Sequence, residues 1–77
     1  MSELSKSITI GKYSFELVEN RYEARGGQYF DDDHDQVPEP ELQLAAAKLQ
    51  TRLKESEGIE TQIEFGEKGW IEVYITD

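Results

Sequence analysis

Leu42, Ala45, Ala46, Leu49 and Leu53 recur at i, i+3, i+4, i+7 and i+11, and this spacing constrains the fold more than any other feature of the chain. It draws one apolar stripe along a helix. Pro38 and Pro40 stand where a helix can begin, because Pro is tolerated in the first turn. Gly58 supplies a left-handed stop, with Ile59 beyond it for the hydrophobic contact of a Schellman cap. Glu39 and Glu41 suit the positive end of the helix dipole, and Lys48, Arg52 and Lys54 lie towards the other end. The expected helix spans residues 38–57. A helix with a single stripe must bury it on another element, and both flanks read as sheet.

Before the helix, Ile8, Ile10, Tyr13, Phe15 and Leu17 share one face if Gly11-Lys12 is a two-residue hairpin loop. That loop pairs Ile10 with Tyr13 and Ile8 with Phe15, and Gly at its first position suits a type II′ turn. The second strand is expected to run on through Val18 towards Tyr22 and Ala24, until Arg25-Gly26-Gly27 breaks it. After the helix, Glu67-Lys68-Gly69 fits a three-residue loop with Gly in the left-handed position. Its register pairs Phe65 with Ile71, Ile63 with Val73 and Thr61 with Ile75. Glu60, Gln62, Glu64, Trp70, Glu72, Tyr74 and Thr76 then take the opposite face. The reading is α+β: a small two-layer β-β-α-β-β domain, one helix on a four-stranded, mainly antiparallel sheet. Residues 1–77 form a single domain, with a frayed start over 1–6 and an acidic loop over 25–37. A chain this short buries only about 60 % of its unfolded surface, which allows one small core.

Charge decides which partners are compatible. Seventeen acids face eight bases, for a net charge of -9 on 77 residues. From Asp31 to Glu41 there are six acids and no base, and from Glu55 to Asp77 seven acids against Lys68 alone. Such a surface repels nucleic acid and anionic membrane and attracts basic partners. The chain has no Cys, which excludes disulfides, thiolate nucleophiles and Cys-based zinc sites. Met1–Ser7 has no apolar run of a secretory signal, and no segment approaches the roughly 20 apolar residues of a membrane span. A cytoplasmic protein is the default expectation.

Two features are candidates for binding. In Asp31-Asp32-Asp33-His34-Asp35, alternate Asp residues have the spacing that opens an EF-hand loop. The rest of that motif fails, with Gln36 where Gly belongs and Leu42 where Glu belongs. His34 is the only His, so a multi-His metal centre is excluded. A solvated acidic loop is the plain reading, and a divalent-cation module centred on residues 31–35 is the alternative. The second candidate is the outer sheet face, where Glu60, Glu64 and Glu72 alternate with Trp70 and Tyr74. Aromatics among charges are typical of interface hot spots. Solvent-facing strands are also often Glu-rich, with aromatics in cross-strand pairs.

No Ser-His-Asp pattern, Walker loop, G-x-G-x-x-G or H-E-x-x-H occurs. No enzymatic activity and no cofactor are expected, and Gly26-Gly27 reads as a structural turn. The expected function is a non-enzymatic protein–protein interaction module that binds a basic surface. In its sharp form it is a nucleic-acid mimic that inhibits a DNA- or RNA-binding protein. The expected contact residues are Asp31, Asp32, Asp33, Asp35, Glu60, Glu64, Glu72, Trp70 and Tyr74. Direct nucleic-acid or membrane binding is not expected, and a homodimer through an exposed edge strand is compatible with the pattern. In size, acidity and lack of Cys or catalytic motif the chain resembles small phage-encoded inhibitors of host defence, anti-CRISPR proteins among them. The resemblance is one of type, carried by no motif, and it transfers no residue roles.

Overall fold

A computed structural model describes residues 4–27, 29–66 and 69–76. Five strands and one helix follow in the order β1 (Ser7–Ile10), β2 (Tyr13–Val18), β3 (Arg21–Arg25), α1 (Pro40–Glu57), β4 (Thr61–Phe65) and β5 (Trp70–Ile75). The strands form one antiparallel sheet in the order β1-β2-β3-β5-β4. The α+β class and the single helix therefore hold. The sheet has five strands rather than four, and the element order is β-β-β-α-β-β.

The extra strand comes from a turn at Glu19-Asn20. Val18 pairs with Arg21 and Leu17 with Tyr22 across it. A continuous strand would put Leu17 and Tyr22 on opposite faces, because side chains alternate with period two. A two-residue turn reverses that parity and brings both inward. Glu19 reaches this turn with φ +57, in the left-handed region that favours glycine. The Asn20 carbonyl then accepts the Ile75 N–H at 2.8 Å, tying the turn to β5.

Both predicted hairpin registers are observed. Ile10 pairs with Tyr13 and Ile8 with Phe15, while Phe65, Ile63 and Thr61 pair with Ile71, Val73 and Ile75. Glu67 and Lys68 of the second loop lie outside the described residues. Gly69 takes φ +82, and a Cβ there would stand 2.9 Å from the Gly27 carbonyl oxygen. That contact excludes any other residue, and the Gly26 N–H donates to the Gly69 carbonyl at 3.3 Å. Gly26-Gly27 is thus packed against the β4–β5 turn.

The helix starts at Pro40 rather than Pro38, which is buried ahead of it. Glu39 is the N-cap residue, and its carboxylate accepts the hydroxyl of Tyr13 from the first residue of β2. Gly58 ends the helix with φ +68, and its N–H bonds to the Lys54 carbonyl at 3.0 Å. The Ile59 N–H also bonds to the Leu53 carbonyl at 3.3 Å, so the left-handed cap closes on two carbonyls, and Ile59 packs on the core beyond it. Leu42, Ala45, Ala46, Leu49 and Leu53 are all buried. They pack with Ile8, Tyr13, Phe15, Tyr22, Ala24, Ile71 and Val73 from one sheet face, and Ile59 and Ile63 flank that core. Of the frayed start, residues 1–3 lie outside the described residues. Residues 4–6 are held: Leu4 packs on the core, the Ser5 carbonyl accepts the Tyr22 hydroxyl at 2.6 Å, and the Lys6 carbonyl accepts the Leu17 N–H at 2.8 Å.

Candidate functional site: the outer face of the sheet

With α1 covering one face, the other face presents the alternate residues of every strand. Register lines these up in rows. Glu16 is opposite Glu23, Glu23 opposite Glu72, and Glu72 opposite Glu64. Four carboxylates from β2, β3, β5 and β4 therefore form a row straight across the sheet. Neighbouring strands lie about 4.8 Å apart, so the row spans roughly 14 Å. Like charges directly opposite one another are destabilising, and here three such pairs adjoin.

One of the three is compensated. In β3–β5 the Asn20–Ile75 and Gly26–Gly69 hydrogen bonds fix the bonded pairs, and by alternation Glu23 and Glu72 are a non-bonded pair. Such pairs bring Cα atoms to about 4.5 Å, closer than bonded pairs. Arg21 sits beside this closest pair. Its Nε is 2.8 Å from Glu23 Oε1 and 3.2 Å from Glu72 Oε2. The three side chains are only 21–23 % exposed. The hydrogen bond to Glu23 is the main cause that raises the Arg21 pKa above its ordinary value. The Tyr74 hydroxyl donates to Glu72 Oε1 at 3.3 Å. Burial first, and then the Glu72 charge, push the Tyr74 phenol up. The outer carboxylates, Glu16 and Glu64, are exposed and make no ion pair among the described residues.

Two further rows flank the carboxylates. On one side Arg21 pairs with Tyr74, its guanidinium carbon 5.9 Å from the ring centroid. On the other, Arg25 pairs with Trp70 with the same 5.9 Å separation, and Trp70 is 37 % exposed. The face is thus four glutamates with an arginine–aromatic pair on either side.

Of the residues expected at a site, Glu64, Glu72, Trp70 and Tyr74 come together here. Glu60 precedes β4 and its carboxylate takes the Lys54 ammonium of α1. Asp31, Asp32, Asp33 and Asp35 lie elsewhere, on the segment that leaves the sheet after β3 and enters α1 at Glu39. The Arg25–Trp70 row stands between the carboxylate row and that end of the sheet. Within the segment, Phe30 bridges Gln36. Asp31 Oδ1 accepts the Asp33 and Asp35 N–H groups at 2.9 Å each, while His34 turns the chain with φ +64. One carboxylate oxygen each of Asp31, Asp33 and Asp35 lies within 4.8 Å of the others. The loop can offer oxygen ligands to a hard cation, although one Asp31 oxygen already serves the backbone.

Glu16, Glu23, Arg21 and Arg25 were missed by the sequence reading. The signal for them was the parity change between Leu17 and Tyr22, which creates β3 and places it between the two hairpins. Among the described residues no charged side chain is buried, and no helix is long and apolar enough to cross a membrane. Comparison with known proteins gives no matching protein family, no matching curated relative and no matching solved structure.

Proposed function

We propose that this chain is a non-enzymatic interaction module that binds a basic protein surface with the outer face of its sheet. The observation that carries this reading is the row Glu16–Glu23–Glu72–Glu64, in which three like-charged pairs stand opposed. A surface under selection for stability alone has no use for such pairs. A partner supplying Lys or Arg to Glu16 and Glu64 relieves the two that Arg21 leaves uncompensated. Trp70 and Tyr74 add rigid aromatic area to the contact. Charge complementarity of this kind governs association rate and salt sensitivity, and the aromatics govern dissociation.

The sharper form is a nucleic-acid mimic that inhibits a DNA- or RNA-binding protein in the cytoplasm. A line of carboxylates supports it, and Arg21 and Arg25 on the same face limit it, because a nucleic-acid groove would meet two cations as well. Affinity capture from the native host's lysate tests both forms, with the protein attached through Lys48 on the exposed side of α1. A captured nucleic-acid-binding protein that added DNA or RNA displaces supports mimicry. A basic partner indifferent to nucleic acid supports the module and removes the mimic.

The convergence of Asp31, Asp33 and Asp35 favours one alternative, a divalent-cation module. It requires saturable Ca²⁺ or Mg²⁺ binding with thermal stabilisation, abolished by Asp31→Asn with Asp33→Asn. Generic screening by added cation removes it.

A further inference from the structure

The outer edge of β4 carries a second surface, built from main chain. In β4–β5, the Gly66 N–H donates to the Trp70 carbonyl at 2.9 Å and the Thr76 N–H to the Glu60 carbonyl at 3.0 Å. Bonded pairs alternate along an antiparallel ladder, so Gln62 and Glu64 also turn their main-chain groups to β5. Thr61, Ile63 and Phe65 turn theirs away from the sheet. β4 is an outermost strand. The Thr61 carbonyl is occupied by the Gln50 side-chain amide of α1 at 3.1 Å. The N–H and C=O of Ile63 and Phe65 have no hydrogen-bond partner among the described residues.

Edges of this kind are ordinarily blunted by Lys, Pro, a bulge or a covering segment. β4 reads Thr-Gln-Ile-Glu-Phe, with no Lys or Pro. Gln50 closes only its first residue. Phe65 points to the helix side yet is 54 % exposed, and half-buried Ile63 lies beside it. On the outer side the same strand offers exposed Gln62 and Glu64. The other outermost strand, β1, differs. Ile8 and Ile10 bond towards β2, and the residues turned outward are exposed Ser7 and Thr9.

We infer that the Ile63–Phe65 edge of β4 accepts an extended segment of a partner protein as a sixth strand. The segment alternates basic and apolar residues. Its main chain pairs with Ile63 and Phe65, its apolar side chains cover Phe65 and Ile63 on the helix side, and its basic side chains meet Glu64 on the outer side. This is strand addition, in which backbone bonds give affinity and alternate side chains give selectivity. Charge selects a basic foreign strand over a second copy, because two chains that each carry -9 repel one another. The inference rests on the acidic-face reading and names the shape of its partner.

Residue-resolved amide hydrogen exchange on the full chain tests it, with a short capped peptide of alternating lysine and valine as the probe. In the free protein the Ile63 and Phe65 amides exchange fast, and those of Gln62 and Glu64 exchange slowly. Saturating peptide slows Ile63 and Phe65 by about tenfold or more. A matched peptide of glutamate and valine does not. Phe65→Lys, at an exposed position, weakens lysine–valine binding by about tenfold, or about 1.4 kcal/mol. Binding that shifts Glu16 and Glu23 but leaves Ile63 and Phe65 fast overturns the edge site while leaving the acidic face intact. Protection that grows with protein concentration alone overturns it in favour of a second copy. An absence of peptide binding, or equal binding by Phe65→Lys, also overturns it, and the acidic face is then judged by the host capture.

Discussion

Arg21 Nε lies 3.2 Å from Glu72 Oε2 across the β3–β5 pairing, and the same nitrogen holds Glu23 at 2.8 Å. One guanidinium thus bridges the closest of three opposed carboxylate pairs, at the middle of the sheet. Arg21→Ala leaves Glu23 and Glu72 facing each other, partly buried. Loss of the charged hydrogen bond to Glu23 and of the ion pair to Glu72, with the restored repulsion, should lower stability by about 1–2 kcal/mol. Urea unfolding would show this as a lower midpoint with an unchanged slope.

Glu16 and Glu64, at the ends of the row, should behave in the opposite way. Replacing either by Gln removes a like-charged neighbour, so each variant should gain a few tenths of a kcal/mol. If the face is a binding site, the same variants lose affinity for a basic partner. A face kept only for solubility would show the stability gain without the loss. Thermal unfolding and binding measured on the same samples separate the two cases.

Glu19 takes φ +57 at the turn between β2 and β3. Its contact with Arg21 is long, at 3.7 Å, and the Glu19 side chain is exposed, so that ion pair contributes little. Glu19→Gly should therefore stabilise the fold by about 1 kcal/mol through relief of the left-handed backbone. Chemical denaturation reads it directly. An unchanged or lower midpoint would show that the Arg21 contact outweighs the backbone term.

Alkaline pH should weaken the fold. Burial is the first cause that raises the Tyr13, Tyr22 and Tyr74 phenols above their ordinary value; the Glu39 hydrogen bond adds to it at Tyr13, Glu57 at Tyr22 and Glu72 at Tyr74. A raised phenol pKa favours the neutral form in the native state. The associated stability is complete below pH about 10 and is lost as pH rises through the raised values. Midpoints measured from pH 8 to about 11 should fall at the alkaline end. Tyr22→Phe should flatten that fall while losing the hydrogen bond to Ser5.

The elements legible in the sequence were those whose signals are local. The Leu42–Leu53 stripe, Gly58 and the Gly69 turn specify α1 and the β4–β5 register through neighbours in the chain. β3 was not legible as a separate strand because its turn carries Glu19 where glycine or asparagine usually announces one. Missing that turn hid Arg21, Arg25, Glu16 and Glu23 from the outer face, since their alignment with Glu64 and Glu72 depends on β3 pairing with β5. Tyr74 and Trp70 were placed correctly on that face. Their arginine partners arise from β3 pairing with β5 across the acidic segment, α1 and β4, which no local pattern encodes.

We propose that the carboxylate row, rather than the Asp31–Asp35 loop, is the contact surface. The most direct measurement is side-by-side capture from host lysate at low and moderate salt, with three immobilised forms attached through Lys48. The first is the unaltered chain. The second combines Glu16→Gln, Glu64→Gln and Glu72→Gln. The third combines Asp31→Asn, Asp32→Asn, Asp33→Asn and Asp35→Asn. The expected result is a basic protein held by the first and third forms, released by moderate salt, and absent from the second. Retention by the second form with loss from the third would contradict it and move the binding surface to the loop.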